Sequence, residues 1–435
     1  MIKILFILTI ISGALFGQDL MTAEDAIRLG LMNNFDIRIA RNNREIADNN
    51  RSKSVSGFLP SLDVNGNYQE AKSNQSTNSP FSFENSTTSS RAAEVSLNWT
   101  LFDGFSMFVI HNQYEQLAQL GEYLTRNSIE STVVAILRAY YNLVQQEQLL
   151  GVAQNALEIS KSRFEKEKVR QDLGSASSTD FWNAQVSYNN DQATLINQEL
   201  RTLVAQKDLN ILLGQKPDTP IQVIKQIIIP DQGLAKEDIL DLALKQNSRI
   251  HIMLQNKKVA DNNVSLNESV FYPRLALRAV YGYSERNTDS DSPRFTEPIE
   301  TLSRDGNIGL NLSFNLFNGL RDKINWQNAR LEAKNRELAL DDERNRVAGL
   351  VSEKLDTFRK RKSLVELEAQ NVNAAERNLQ LNQDRYNIGA ASSLEFRDAQ
   401  VNLIRSQTTL IVARYQARIT WLELEQLMGN WKIPE

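Results

Sequence analysis

Glu94-Val95-Ser96-Leu97-Asn98-Trp99-Thr100-Leu101 alternates polar and apolar side chains, and Asn307-Ile308-Gly309-Leu310-Asn311-Leu312-Ser313-Phe314-Asn315-Leu316 does so again. Each run ends on one motif, Leu101-Phe102-Asp103-Gly104 and Leu316-Phe317-Asn318-Gly319. Alternation with period two over about ten residues describes a strand with one greasy face and one wet face. A second strand precedes each run. Leu62, Val64, Gly66 and Tyr68 alternate with Asp63, Asn65, Asn67 and Gln69, and Leu275, Leu277, Ala279, Tyr281 and Tyr283 form the later counterpart. Polar stretches, Ser73 to Arg91 and Ser284 to Gly306, join the two members of each pair. Tilted strands of about 9–11 residues also span a bilayer. A soluble sandwich would bury the same greasy face, although four strands make a poor sandwich.

The resemblance between the runs extends outward in both directions. Ala47-Asp48-Asn49-Asn50 returns 213 positions later as Ala260-Asp261-Asn262-Asn263, and Leu59-Pro60-Ser61-Leu62 returns as Tyr272-Pro273-Arg274-Leu275. Gly174, Phe181, Ala184 and Gln185 return 215 positions later as Gly389, Phe396, Ala399 and Gln400, and Leu213-Gly214 as Met428-Gly429. A period this long is a duplicated structural half, because solenoid repeats run about 20–50 residues. The expected organisation is a signal peptide at 1–17, a first repeat at 18–230 with a hairpin about 58–102, and a second repeat at 231–435 with a hairpin about 271–317. Gln215 to Gly233, with Pro217, Pro220 and Pro230, links the halves.

Lys3 followed by the apolar run Ile4 to Leu15 describes a secretory signal, with cleavage near Gly17. The run is too short for a spanning helix, which needs about 20 residues. With no cysteine, the chain has no disulfide, no thiolate metal site and no lipoprotein attachment. The net charge of −4 argues against a nucleic-acid partner. No metal-spaced His/Cys/Asp cluster, phosphate-cradling loop or Gly-x-Ser-x-Gly occurs, so neither an enzyme nor a cofactor is expected. His111 and His251 read as solvated or helix-packed.

Proline is absent between Pro80 and Pro217 and again between Pro298 and Pro434. From Asp103 to Leu173 apolar residues recur at three and four spacing, as in Val133, Ile136, Leu137, Tyr140, Tyr141 and Val144. About 70 residues of continuous helix would be about 105 Å long, which implies coiled-coil packing. A second arm runs from about Thr179 to Leu213, and the later copy repeats the pair at about Gly319–Ile388 and Leu394–Met428. Shorter helices, Thr22–Val55 and Lys236–Val270, open each unit.

Four strands cannot close a barrel, and open edges leave backbone groups unpaired in lipid. The hairpins must therefore pair with those of other copies. Two copies give eight strands and a side-chain-filled barrel, whereas three give twelve and room for a pore.

The signal, the doubled helix–hairpin–helix unit, the Leu-Phe-Asp-Gly and Leu-Phe-Asn-Gly strand ends, and the Leu-Gly and Met-Gly helix ends resemble the TolC-like outer-membrane efflux family. So does the turn at Ile388-Gly389-Ala390 followed by Glu395 and Asp398. The resemblance implies a mainly α chain with a β-barrel part: a homotrimer whose twelve strands form one outer-membrane barrel, continued by a long periplasmic α-helical barrel. It implies an exit duct of an efflux pump or type I secretion system. Its partners would be a periplasmic adaptor (membrane fusion protein), an inner-membrane pump of RND or ABC type, and outer-membrane lipid. The alternative is a surface coiled-coil fibre or adhesin.

The resemblance also assigns sites. Glu395 and Asp398, at i,i+3 on one helix face, would ring the periplasmic entrance. The alternative is an ordinary acidic helix start. Tyr386 and Asp180 would latch the closed state, aided by Arg385 or Arg397, since Ala391 stands where the family has its Arg. Tyr386 as plain coiled-coil packing is the alternative. Leu173, Gly174, Ser175, Ile388, Gly389 and Ala390 would form the adaptor-docking tips. Tyr68, Trp99, Tyr281 and Tyr283 would form an aromatic girdle.

Overall fold

A computed structural model describes residues 20–75, 85–174, 178–231, 233, 235–290 and 297–429. The signal peptide at 1–17 and Ser175 lie outside the described residues. The described residues are mostly helical and include one four-stranded sheet. Its elements are α1 (Ala23–Asn33), α2 (Phe35–Asn49), β1 (Ser61–Asn74), β2 (Asn85–Asp103), α3 (Ser106–Asp172), α4 (Ser178–Leu212), α5 (Lys236–Gln246), α6 (Ser248–Glu268), β3 (Arg274–Ser290), β4 (Ile299–Ser313), α7 (Arg321–Asn387) and α8 (Ser393–Met428). The long helices α3 and α7 are each 67 residues, and their ends match at the repeat offset. Backbone packing divides the chain into two compact units that cut across the duplication. One holds 1–41, 124–250 and 344–435, and the other holds 42–123 and 251–343.

The sheet lies wholly in the second of these units. Its order is β1-β2-β3-β4, antiparallel throughout, so β1 and β4 are its edges. The register aligns the greasy residues across all four strands: Val64 with Val95, Val95 with Tyr281, Leu97 with Ala279, Ala279 with Ile308. The opposite face carries Asn65 beside Glu94 and Asn98 beside Arg278. None of the described residues covers the greasy face: Val64 is 76 % exposed and Ile308 75 %. Trp99 pairs with Leu277, and eight residues along, Arg91 pairs with Tyr68. That separation is about 27 Å at about 3.4 Å per residue. Tyr283 stands beside Ala93, near the Tyr68 end, and Tyr281 stands mid-way along the band.

The ladder runs further than the apolar band. Asn85–Arg91, Ser284–Ser290 and Ile299–Gly306 are paired strand, not loop. Backbone pairing needs no apolar side chains, and threonine suits a strand. Thr88 and Thr288 even share a hydrogen bond across it. At the other end β4 stops at Ser313, so Phe314 and Leu316 lie beyond the ladder.

Each opening helix is also two helices rather than one. The break falls at Asn34 and at its repeat equivalent Asn247. Asn34 Oδ1 accepts from the N–H groups of Asp36 and Ile37 (2.9 and 3.2 Å), starting α2, while its Nδ2 donates to the Leu212 carbonyl (2.8 Å). Asn247 makes the same three bonds, to Arg249, Ile250 and the Leu427 carbonyl. A short polar side chain that caps one helix and ties down the end of another interrupts a helix without proline or glycine. Gly214 and Gly429, both with positive φ, close α4 and α8 against these corners.

In the first unit the core gathers Val133, Ile136, Leu137, Tyr140, Tyr141 and Val144 of α3 with Leu209, Leu213, Ile419 and Leu422. The proline-bearing link joins this core through Ile221, Val223 and Ile227. Met21 N–H donates to the Gln222 carbonyl (2.8 Å), and the Tyr140 hydroxyl donates to the Met21 carbonyl (3.0 Å). No described helix is long and apolar enough to cross a membrane.

Two glycines with positive φ separate strain from clash. A Cβ on Gly214 would sit 2.7 Å from the Asn33 carbonyl oxygen, whereas one on Gly57 meets nothing within 4 Å. Gly57→Ala should therefore lose about 1 kcal/mol, from left-handed strain alone. Gly214→Ala should lose more than twice as much. Thermal unfolding of the two variants checks this, and equal losses would contradict the packing at the Asn34 corner.

Candidate functional site

The candidate site lies where α3 turns into α4 and α7 turns into α8. Each long helix ends on a glycine in the left-handed region, Gly174 (φ 71°) and Gly389 (φ 79°). After α7 the Gly389 N–H donates to the Tyr386 carbonyl (3.2 Å) and the Ala390 N–H to the Arg385 carbonyl (2.7 Å). This is the pairing by which a left-handed residue satisfies the last carbonyls of a helix. The Arg385 guanidinium adds a bond to the Ala390 carbonyl (3.1 Å). Leu173, Ile388 and Leu394 project from the turns, each about three-quarters exposed or more.

Helix α8 starts with a capping box. Ser392 Oγ accepts from the Glu395 N–H (3.2 Å), and the Glu395 carboxylate accepts from the Ser392 N–H and hydroxyl (2.7 and 2.9 Å). The backbone bond first, then the hydroxyl bond, hold the Glu395 carboxyl below the ordinary carboxylate range. Asp398, exposed on the same helix face, accepts from Asn402 (3.4 Å). Glu395 thus has a structural duty that does not consume its charge.

Beneath this surface lies a buried polar network. Tyr386 stacks on Phe396 (centroids 5.1 Å apart), and its hydroxyl donates to Glu167 of α3. Both residues are nearly inaccessible, at 3 % and 1 %. The expected partner, Asp180, makes no hydrogen bond to Tyr386 in the structure. Glu167 lies on the buried face of α3 against the ring, and Lys166 Nζ sits 4.2 Å from the ring centroid. Burial, and then the bond to Glu167, push the Tyr386 hydroxyl pKa well above its ordinary value.

Arg397 forks onto Asp191 of α4 (2.7 and 2.9 Å) and also reaches Gln400 (3.0 Å), whose amide donates to the Ala156 carbonyl of α3 (2.9 Å). Arg163 of α3, almost fully buried, donates to the Ser393 carbonyl (3.3 Å). Burial, and then the charge of Arg397, pull the Arg163 pKa down. A guanidinium nonetheless stays protonated. Four helices are therefore tied by charge-assisted bonds, each worth about 1.5–3 kcal/mol.

Sequence reasoning reached Tyr386 and Arg397 but missed Glu167, Arg163 and Asp191. A signal was present in the duplication. At the repeat offset Arg163, Glu167, Asp191 and Arg397 face Asn378, Asn382, Ser406 and Trp182. Charges that one copy holds and the other omits are not required by the shared fold.

The cap gives a pH test. Because the folded Glu395 carboxyl titrates below its ordinary value, its contribution is present at neutral pH and disappears as pH falls through that lowered value. The protection of the first turn of α8 against hydrogen exchange, taken relative to the intrinsic amide rate at each pH, should fall over that acid range in the wild type. The Glu395→Ala variant should show low protection at every pH. A variant matching the wild type at neutral pH would contradict the capping role.

Sequence and structure comparisons cover both copies. The family profile described as "Outer membrane efflux protein" matches residues 26–215 and 239–430. The alkaline protease secretion protein AprF of Pseudomonas aeruginosa is 22% identical over 433 residues, covering 95% of this chain and 88% of AprF. Outer membrane protein TolC of Vibrio cholerae is 20% identical over 380 residues, covering 87% of this chain and 84% of its own. The Campylobacter jejuni CmeC outer membrane channel has a TM-score of 0.78 at 17% identity, over 94% of this chain and 85% of that one. The Vibrio cholerae outer membrane protein VceC has a TM-score of 0.74 at 16% identity, over 94% and 96%. At such identities the solved structures speak for the fold. The family match, one for each copy and together spanning most of the sequence, identifies the chain as a member of the outer membrane efflux protein family.

Proposed function

We propose that three copies of this chain form the exit duct of a tripartite efflux pump or a type I secretion system. As a member of its family the chain is an outer-membrane channel protein. The observation that carries the trimeric reading is the four-stranded sheet, whose apolar face is bare and whose two edges are unpaired among the described residues. In lipid such edges must be paired, and β4 of one copy on β1 of the next closes a ring of twelve strands. The polar face then lines the lumen. Trp99 marks one border of the apolar band, and Tyr68 and Tyr283 mark the other. Tyr281 lies between those borders.

The tip residues fit a gate in this reading. Threefold symmetry gathers Glu395 and Asp398 into six carboxylates around the entrance, an arrangement that attracts cations. The bonds from Tyr386 to Glu167 and from Arg397 to Asp191 hold the helices of each copy together and keep the entrance narrow. Leu173, Gly174, Ile388, Gly389 and Ala390 form the surface that a periplasmic adaptor engages, with a pump of RND or ABC type beyond it. Transport rather than catalysis is the proposed role.

Planar bilayer recordings test both parts. The double change Glu395→Ala with Asp398→Ala should lower cation preference and weaken block by multivalent cations added from the helical side. Unchanged selectivity would return both residues to ordinary helix-start duty. Tyr386→Phe with Glu167→Gln removes the buried bond in each copy while keeping both shapes. It should raise single-channel conductance severalfold. Wild-type conductance would mean that the entrance is held by other contacts.

A further inference from the structure

We propose that Arg274 and Arg321 form an oxyanion-binding site at the base of the lumen, one in each copy, for the phosphate or carboxylate group of a passing solute. The lumenal placement rests on the duct reading, whereas the site itself rests on the chain alone. A cavity of about 620 Å³ opens in the second unit where the strands meet the long helices, lined by Asp103, Tyr272, Arg274, Phe314, Arg321 and Asp322 among others. Arg274 is the first residue of β3 and pairs with Asp103 and Ser313. It shares the polar face with Arg278, opposite Leu275 and Leu277, so a lipid headgroup on the greasy face does not reach it. Arg321 is the first residue of α7.

Neither guanidinium has a side-chain partner among the described residues, and both are exposed. Two planar forks of donors in one cavity suit an oxyanion, which accepts two parallel bonds from each. The acids in the lining weigh less than their number suggests. Asp103 is buried and spends its Oδ1 on the Met107 N–H (3.1 Å), capping α3. Its repeat equivalent is the neutral Asn318, which accepts from the Asp322 N–H (3.5 Å). Asp322 is thus the one acid of the lining with no structural duty.

The duplication supplies a second, independent observation. Arg274 stands where the first copy has Ser61, and Arg321 where it has Ser106. Ser61 opens β1 and Ser106 opens α3 just as the arginines open β3 and α7. The corner therefore folds without guanidinium groups at these positions. What the second copy adds is positive charge in a cavity.

Calorimetric titration of the detergent-solubilised full chain with sodium pyrophosphate at low salt tests the assignment without relying on conduction. The wild type should bind one pyrophosphate per chain, more weakly as salt rises. Arg274→Gln with Arg321→Gln should weaken binding at least tenfold. Arg274→Lys with Arg321→Lys, which keeps the charge and the fold but loses the forks, should fall between. Arg278→Gln, on the same face but outside the cavity, should stay within twofold of the wild type. Failure of the wild type to bind, or equal binding by the glutamine pair, overturns the site. Binding by a protein that conducts no ions in bilayers would uphold the site and sink the duct reading instead.

Discussion

The rest of the structure depends on the two unpaired backbone edges of a four-stranded sheet. A strand edge in water can solvate its amides and carbonyls. In hydrocarbon it has no such recourse, and each unsatisfied group costs several kcal/mol. Leu62, Val64, Ile308 and Leu310 commit the edge strands β1 and β4 to an apolar environment, because none of the described residues covers them. Pairing with a second copy satisfies one edge and leaves another. Only a closed ring satisfies all of them, and the repeated edge-to-edge contact generates rotational symmetry. Once symmetry is imposed, any side chain near the axis is repeated around it. In the proposed trimer a single acidic helix start would become a charged entrance, and a single arginine would become part of a positive collar.

Much of the fold was legible in the sequence. Period two marked the strands, three-and-four spacing marked the long helices, and constant offsets exposed the duplication. The departures have physical causes. The strands outrun their apolar band because ladder bonds come from the backbone, so the serine- and threonine-rich rungs at Asn85–Arg91 carry no hydrophobic signal. The breaks at Asn34 and Asn247 are made by side-chain amides whose partners, Leu212 and Leu427, are about 180 residues away. No local pattern reports such a partner.

The tip was less legible than the fold. Tyr386 was reached by resemblance, but its acceptor was not. Glu167 sits in a run of alternating charges, Glu165-Lys166-Glu167-Lys168, that reads as a solvated face. Only the three-dimensional packing of α7 on α3 shows that one of the four is buried against a tyrosine. The comparison of the two copies is the more general lesson. Positions alike in both copies, such as Gly174 and Gly389 or Asn34 and Asn247, serve the shared fold. The charged tip network and the arginines of the cavity differ between the copies, so the shared fold does not account for them.

The central claim is closure through β4 of one copy on β1 of the next. The natural chain has no cysteine, so each engineered one is unambiguous. With Val64→Cys on β1 fixed, a series of second cysteines along β4, from Gly306 to Leu312, should contain a register that oxidises between chains in membranes. On non-reducing gels that register should give a ladder of two and three chains and then stop, with the three-chain species dominant. A ladder that ends at two, one that runs on past three, or the absence of any inter-chain bond in every register would contradict the closed trimer.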